Sequence, residues 1–418
     1  MNPMMKRVLK GAAALLCLTF ASSVPLAHAD DWPQFLGPNK DCISQEKGLA
    51  TQWPAEGPKR LWQFEVGEGF SCLAISAGRL FTMGQAEGAQ WVYALDAEKG
   101  NLLWKVQSGK KYDNYPGPRA TPVVDADRVY TLDTDGHLMC LNAADGKIVW
   151  ECQTLQEFKA KNLTWGVANT PLVDGAQLIV NVGQSQGSSV VSFDKMTGKV
   201  LWKAHNDMAG YASPTIRTIG GKRQLIVFFA TGVVGMEPEG GKELWRIPWK
   251  TQFDIHATTP VVKDNLIFIA SDYGTGCALI EVDLAKQPAA KILLKSKDIQ
   301  AKYTTPLLVG DYLYAFDEQQ GFRCVELKTL TTKWVEKGFN NGTAVMAGGQ
   351  VYLLGEQGSL ALAKVSPEKL EIVSKVENFF QKDEFGKELR CWTMPVVANG
   401  KLYARNEKTL ICADVKGQ

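Results

Sequence analysis

Leu95-Asp96-Ala97-Glu98-Lys99-Gly100-Asn101-Leu102-Leu103-Trp104 is the stretch that decides the fold. It recurs without gaps at 141–150, 193–202 and 236–245. The second residue of each copy is Asp, Asn or Glu (Asp96, Asn142, Asp194, Glu237). Gly follows four residues later (Gly100, Gly146, Gly198, Gly241) and Trp eight residues later (Trp104, Trp150, Trp202, Trp245). Glu326 and Trp334 keep the spacing and lose the Gly. The physics is that of a hairpin: a strand ends, a polar side chain caps the turn through nearby backbone, Gly takes the positive-φ position, and the next strand starts. A Trp at one fixed point of every copy suits packing between neighbouring sheets better than a single catalytic role.

Upstream of each turn lies a second signal. Thr121-Pro122, Thr170-Pro171, Ser213-Pro214, Thr259-Pro260, Thr305-Pro306 and Met394-Pro395 each open a short strand. Copies without Pro stand at Ser71-Cys72-Leu73 and Gly342-Thr343-Ala344, which makes eight. The 273 residues from Pro122 to Pro395 then hold six intervals of about 45. Four short strands every ~45 residues is the pattern of a propeller blade, and helical periodicity is scarce. Pro is tolerated there because the innermost strand has one edge facing the channel. The sequence therefore predicts an all-β, eight-bladed β-propeller. Its last copy, 392–418, has three strands, and Arg60–Val66 is an orphan fourth. Pairing the two would close the ring between the N- and C-terminal strands and leave no open edge.

Residues 1–29 read as a signal peptide: Lys6, Arg7 and Lys10, an apolar run over 11–20, then Ala27-His28-Ala29 as the cleavage site. The apolar run is too short to span a bilayer, and no other segment is long enough. Leu16 before Cys17 argues against a lipidation site. Residues 30–59 lie outside the repeat and read as an irregular N-terminal arm, with aromatics packed outside the propeller or across one face. Residues 60–418 are the propeller. The expected location is periplasmic or secreted.

The chain of 418 residues is 45% hydrophobic, with 46 Lys+Arg against 44 Asp+Glu. Loss of 1–29 takes the net charge from +2 to −1, and no block of like charge remains, so nucleic acid is not a partner. Eight cysteines remain, an even count compatible with disulfides in an exported chain. There is no Cys-x-x-Cys pair and only three His, so zinc-type spacing is absent and no metal site is expected.

The Asp-x-x-x-Gly-x-x-x-Trp repeat, the Pro-opened strand and the eight-fold count resemble the PQQ-type (quinoprotein-like) β-propeller repeat family over residues 60–415. Asp31-Trp32-Pro33-Gln34-Phe35-x-Gly37-Pro38 resembles the arm of secreted bacterial members. The resemblance implies one of two functions. One is that of the pyrroloquinoline-quinone dehydrogenases, which oxidise alcohols or sugars with Ca²⁺ beside the quinone. The other is that of the propeller lipoprotein of the outer-membrane barrel-assembly machine, a scaffold without catalysis. The catalytic group implies adjacent, disulfide-linked cysteines, and this chain has no Cys-Cys pair. It also has no Cys-x-x-Cys-His for haem and few long insertions. No catalytic residue is identified and no cofactor is firmly implied. The expected role is an exported binding or scaffold protein of the cell envelope. Its partner would be an envelope protein or a small anionic or planar ligand.

In a propeller, ligands meet the residues just before the innermost strands, at the channel mouth. Those are Arg119, Trp165, Asn169, Tyr211, His256, Tyr303, Asn341, Arg390 and Trp392, with Asp254 the nearest acid. Arg pairs a carboxylate and Trp or Tyr stacks on a flat body. Arg119 and Arg390 belong to copies two and eight, near neighbours in a closed ring. Two guanidinium groups at one mouth call for an anion or an acid between them. His137 and His205 are expected in solvated or surface positions, and Cys140, Cys324 and Cys412 as small buried groups.

Overall fold

The computed structural model describes residues 31–183, 186–317 and 321–417. Segment 1–29, expected to be a signal peptide, lies outside them. The described residues form eight four-stranded antiparallel sheets and one short helix, Thr154–Glu157. Blade one consists of Ala74–Ser76, Arg79–Ala86, Ala89–Asp96 and Leu102–Lys110. The next six occupy 123–153, 172–204, 215–248, 261–296, 307–336 and 343–376. Blade eight joins Val396–Ala398, Lys401–Arg405 and Thr409–Asp414 to Arg60–Glu65 from the other end of the chain. Arg60 faces Ala413 and Glu65 faces Thr409, so the expected closure is present.

The repeat does what its residues dictate. The Asp96 carboxylate accepts the backbone N–H of Glu98 at 2.9 Å and of Lys99 at 2.8 Å, and the Gly100 N–H returns to the Asp96 carbonyl at 2.8 Å. Gly100 sits at φ +74°. In the copy that lost its Gly, Leu330 takes the same place at φ +55° and still donates to the Glu326 carbonyl at 2.9 Å. The ladder skips one residue beside the turn, between Ala94 and Leu95, and again at 140/141, 192/193 and 324/325. That bulge twists the outer strand and turns its Trp toward the next blade.

The Trp then meets the glycine of that blade's turn. A Cβ on Gly146 would come within 2.8 Å of the Trp104 ring, one on Gly198 within 2.7 Å of Trp150, and one on Gly100 within 2.5 Å of Trp62. The indole N–H groups reach carbonyls across the same seams: Trp62 to Ala97 (3.3 Å), Trp104 to Ala143 (3.2 Å), Trp150 to Lys195 (3.0 Å). Trp62 belongs to blade eight and Ala97 to blade one, so the seam that closes the ring is built like the others.

At three blade junctions the residue before the Pro stitches the inner ring. Thr121 N–H donates to the Thr170 hydroxyl (3.0 Å), Thr170 N–H to the Ser213 hydroxyl (2.9 Å), and Thr259 N–H to the Thr305 hydroxyl (3.0 Å). The eight described cysteines, Cys42 to Cys412, are all free thiols, and seven are buried. They pack as small apolar groups.

The arm crosses the channel face opposite the mouth. Trp32 pairs with Ile75 of blade one, Pro33 accepts from Val124 of blade two, and the Lys40 carbonyl accepts from Arg217 of blade four. Cys42 and Ser44 bond Met346 of blade seven, and Ala50 donates to Val415 beside blade eight. Trp32 is 1% exposed, so it is a packing residue.

Candidate functional site: an aromatic well at the channel mouth

The connections that lead from each outer strand to the next innermost strand all emerge on one face. Between them lies a cavity of about 340 Å³. Its wall carries eight rings: Phe35, Phe70, Tyr115, Trp165, Tyr211, Tyr273, Tyr303 and Trp392. Arg119, Thr170 and Ser213 are its polar members, and among the described residues its lining holds no carboxylate. Phe35 comes from the arm on the far side, so the channel is a well with a floor.

Five of the expected mouth residues line this well: Arg119, Trp165, Tyr211, Tyr303 and Trp392. Trp165 and Tyr211 form one ring pair, with centroids 6.1 Å apart, and Tyr303 and Trp392 another at 4.4 Å. Burial raises the Tyr211 phenol to about 12, so it is a neutral donor.

Arg390 stands behind the wall rather than in it. Its guanidinium lies 4.4 Å from the Trp392 ring, and its Nε and Nη1 donate to the Glu407 carboxylate and the Tyr115 hydroxyl. Burial pulls its pKa down, but Glu407 outweighs this and raises it. Arg119 and Arg390 do converge, each over the Tyr115 ring at 5.3 and 5.2 Å. The acid that balances Arg390 is Glu407. Asp254, the expected acid, is exposed in a turn at φ +56°.

Three expected mouth residues lie elsewhere. His256 is fully buried between blades four and five, stacked on Phe228 at 4.3 Å. Its Nε2–H donates to the Ala230 carbonyl and its Nδ1 accepts from the Ser271 hydroxyl, both at 3.1 Å. Burial lowers its pKa to about 4, so it is neutral. Asn169 is buried and donates to the Asn181 carbonyl at 3.0 Å, and Asn341 is buried without lining the well. His256 thus spans the seam between blades four and five, whereas the Asn169 bond lies within blade three. His137 and His205 also differ from expectation. His137 opens a strand and bridges the Ser108 carbonyl and Glu151, and His205 reaches the Gly241 carbonyl at 2.9 Å.

The sequence reading missed Phe35, Phe70, Tyr115 and Tyr273. Phe70 had a signal: it directly precedes the Pro-less first copy, at the place Ala120 holds in the second. Phe35, Tyr115 and Tyr273 come from non-repeating segments, which carry no positional register.

Arg119 is the electrostatic centre. Its side chain borders the well, and its two Nη atoms are turned into the wall, buried and without a hydrogen-bond partner. Burial lowers its pKa to about 10, so it stays charged at neutral pH.

Eight blades around a central channel, six of them with a Trp on the outer strand, define a propeller of the PQQ-repeat class. The family model described as outer membrane protein assembly factor BamB matches residues 88–336, and the chain belongs to that family. It is 26% identical over 292 residues to tetrathionate hydrolase of Acidithiobacillus ferrooxidans, covering 65% of this chain and 54% of that one. It thus spans about half the length of that relative. It is 23% identical over 328 residues to outer membrane protein assembly factor BamB of Moranella endobia, covering 76% and 70%. A quinohemoprotein alcohol dehydrogenase of Pseudomonas putida has the same fold, with a TM-score of 0.61 at 11% identity, covering 93% and 81%.

Proposed function

We propose that this protein is an exported binding propeller of the cell envelope, working in the periplasm without catalysis of its own. Membership of the BamB family supports an assembly or scaffold role. The observation that carries the reading is the donor set of the well: one guanidinium, two hydroxyl side chains, phenols and apolar rings, with no carboxylate among the described residues.

That set does not fit a quinone dehydrogenase. Pyrroloquinoline quinone carries several carboxylates, and the well offers one cation. Ca²⁺ takes six to eight oxygen ligands, Asp or Glu carboxylates among them. Among the described residues no cluster of three His, Cys, Asp or Glu could hold a metal. Alcohol oxidation also needs a base at the reacting carbon, and among the described residues the lining supplies neither a carboxylate nor a histidine. We therefore derive no step through a quinone.

The test is reconstitution. Purified protein is mixed with pyrroloquinoline quinone and Ca²⁺, and its absorption spectrum and dye-linked alcohol oxidation are recorded. The reading predicts no turnover. A bound quinone with turnover would overturn it.

A further inference from the structure

This chain contains buried guanidinium groups of two kinds. Arg405, fully buried between blades eight and one, is saturated. Its three nitrogens reach the carbonyls of Ser71, Met83, Gly67, Gly69, Asn406 and Glu407 and the Thr82 hydroxyl, at 2.8 to 3.4 Å. That is a structural arginine, stitching the closing seam. Arg119 is the opposite. Both its Nη atoms lack a hydrogen-bond partner, and its guanidinium lies over the Tyr115 ring at 5.3 Å and the Tyr112 ring at 5.9 Å. An ion left unpaired inside a protein is costly, and an acceptor that reaches it recovers part of that cost. Two further cations stand near the well, and each already has an acid: Arg390 holds Glu407, and Lys302, beside the Tyr273 and Tyr303 rings, lies 3.7 Å from Asp272. Arg119 is therefore the cation of the lining that is left to take a negative charge.

The rest of the well selects shape. Two ring pairs, Trp165–Tyr211 and Tyr303–Trp392, stand on its wall, and Phe35 closes the floor. Aromatic walls favour a flat apolar body by stacking and by area removed from water. Resting on the binding role argued above, we propose that the well holds a small aromatic molecule with a single carboxylate. The carboxylate pairs with Arg119, and the ring lies among the Trp165, Tyr211, Tyr303 and Trp392 side chains. Binding turns the Arg119 fork out from beneath Tyr115 to meet the carboxylate, a pairing that a planar guanidinium makes through two parallel bonds. A second carboxylate on the same ring would be buried without a partner.

The experiment is a calorimetric titration of the purified protein with three probes on one ring system: naphthoate, naphthol and naphthalene dicarboxylate. Naphthoate is expected to bind, and the other two at least about tenfold more weakly, as the loss of a charge-assisted hydrogen bond or an unpaired charge requires. Arg119→Gln should weaken naphthoate roughly 10- to 100-fold while leaving the melting temperature unchanged or higher, because it removes an unpaired buried charge. Should that variant fail to fold, Arg119→Lys keeps the charge and loses the fork, and must still weaken binding. Arg223→Gln, at an exposed ion pair with Asp174 outside the well, should leave naphthoate binding unchanged. No naphthoate binding, equal binding to Arg119→Gln, or a preference for the dicarboxylate would overturn the proposal. If naphthoate fails and quinone turnover is also absent, the ligand class is wrong and the scaffold role stands. If quinone and Ca²⁺ bind with turnover, both readings fall.

Discussion

His256 was placed by sequence among ligand-facing residues, and the fold makes it a packing residue instead. Its carbonyl and hydroxyl partners fix one neutral tautomer. That has a consequence for acid stability. The unfolded chain protonates this ring near 6.5, whereas the folded protein resists until about 4. Between those values the unfolded state binds more protons, so stability falls as the pH drops, by up to roughly 3 kcal/mol for this group. Asp133 works in the opposite direction. Burial pushes it from 3.8 up to about 7 against two backbone N–H groups, so its contribution falls as the pH rises through that range. Comparing His256→Asn with the parent cancels the Asp133 effect, which both share. The stability advantage of the parent, measured by urea unfolding, should shrink as the pH falls from 6.5 to 4. An advantage independent of pH would mean that His256 is not held neutral. At this scale the sequence was informative about kind and poor about direction. It found the five ring and cation positions of the well, four of which (Arg119, Tyr211, Tyr303 and Trp392) stand three residues before a Pro. It could not separate them from His256, Asn169 and Asn341, because facing the channel or turning away from it depends on one side chain's rotation.

The blade was the most legible element. Spacing alone located the hairpin turn, its cap, its positive-φ glycine and its Trp, since each is a local demand of backbone geometry. The fixed relation of that Trp to the next blade's glycine was not legible, because it depends on two turns 40 or more residues apart coming into register. It gives a paired prediction. Trp104 is 9% exposed and fills the space above Gly146. Trp104→Ala should cost roughly 3–5 kcal/mol, as for other buried aromatics. Gly146→Ala should cost at least about 1 kcal/mol, because its φ of +73° disfavours a side chain and its Cβ would meet the ring. Trp150→Ala should cost less than Trp104→Ala, since Trp150 is only partly buried. Urea denaturation of the three variants measures this. Losses within experimental error for Trp104→Ala would show that the seams are held by something else.

The ring as a whole is closed three times over: by the Arg60–Glu65 strand on blade eight, by Arg405 across the same seam, and by the arm that ties blades one, two, four, seven and eight across the far face. The first was legible, because an orphan strand and a three-stranded last copy complete each other. The arm was legible only as something outside the repeat, since its course is dictated by partners on five blades. A ring closed in this way is a rigid frame, and its functional content lies in what the mouth can hold. Ligand binding to the folded state raises the melting temperature by mass action, so one calorimetric measurement addresses the central claim. The protein is heated with naphthoate in one cell, and with pyrroloquinoline quinone with and without Ca²⁺ in others. The account predicts an upward shift with naphthoate and no Ca²⁺-dependent shift with the quinone. A shift that requires quinone and Ca²⁺ together, with none from naphthoate, would contradict it.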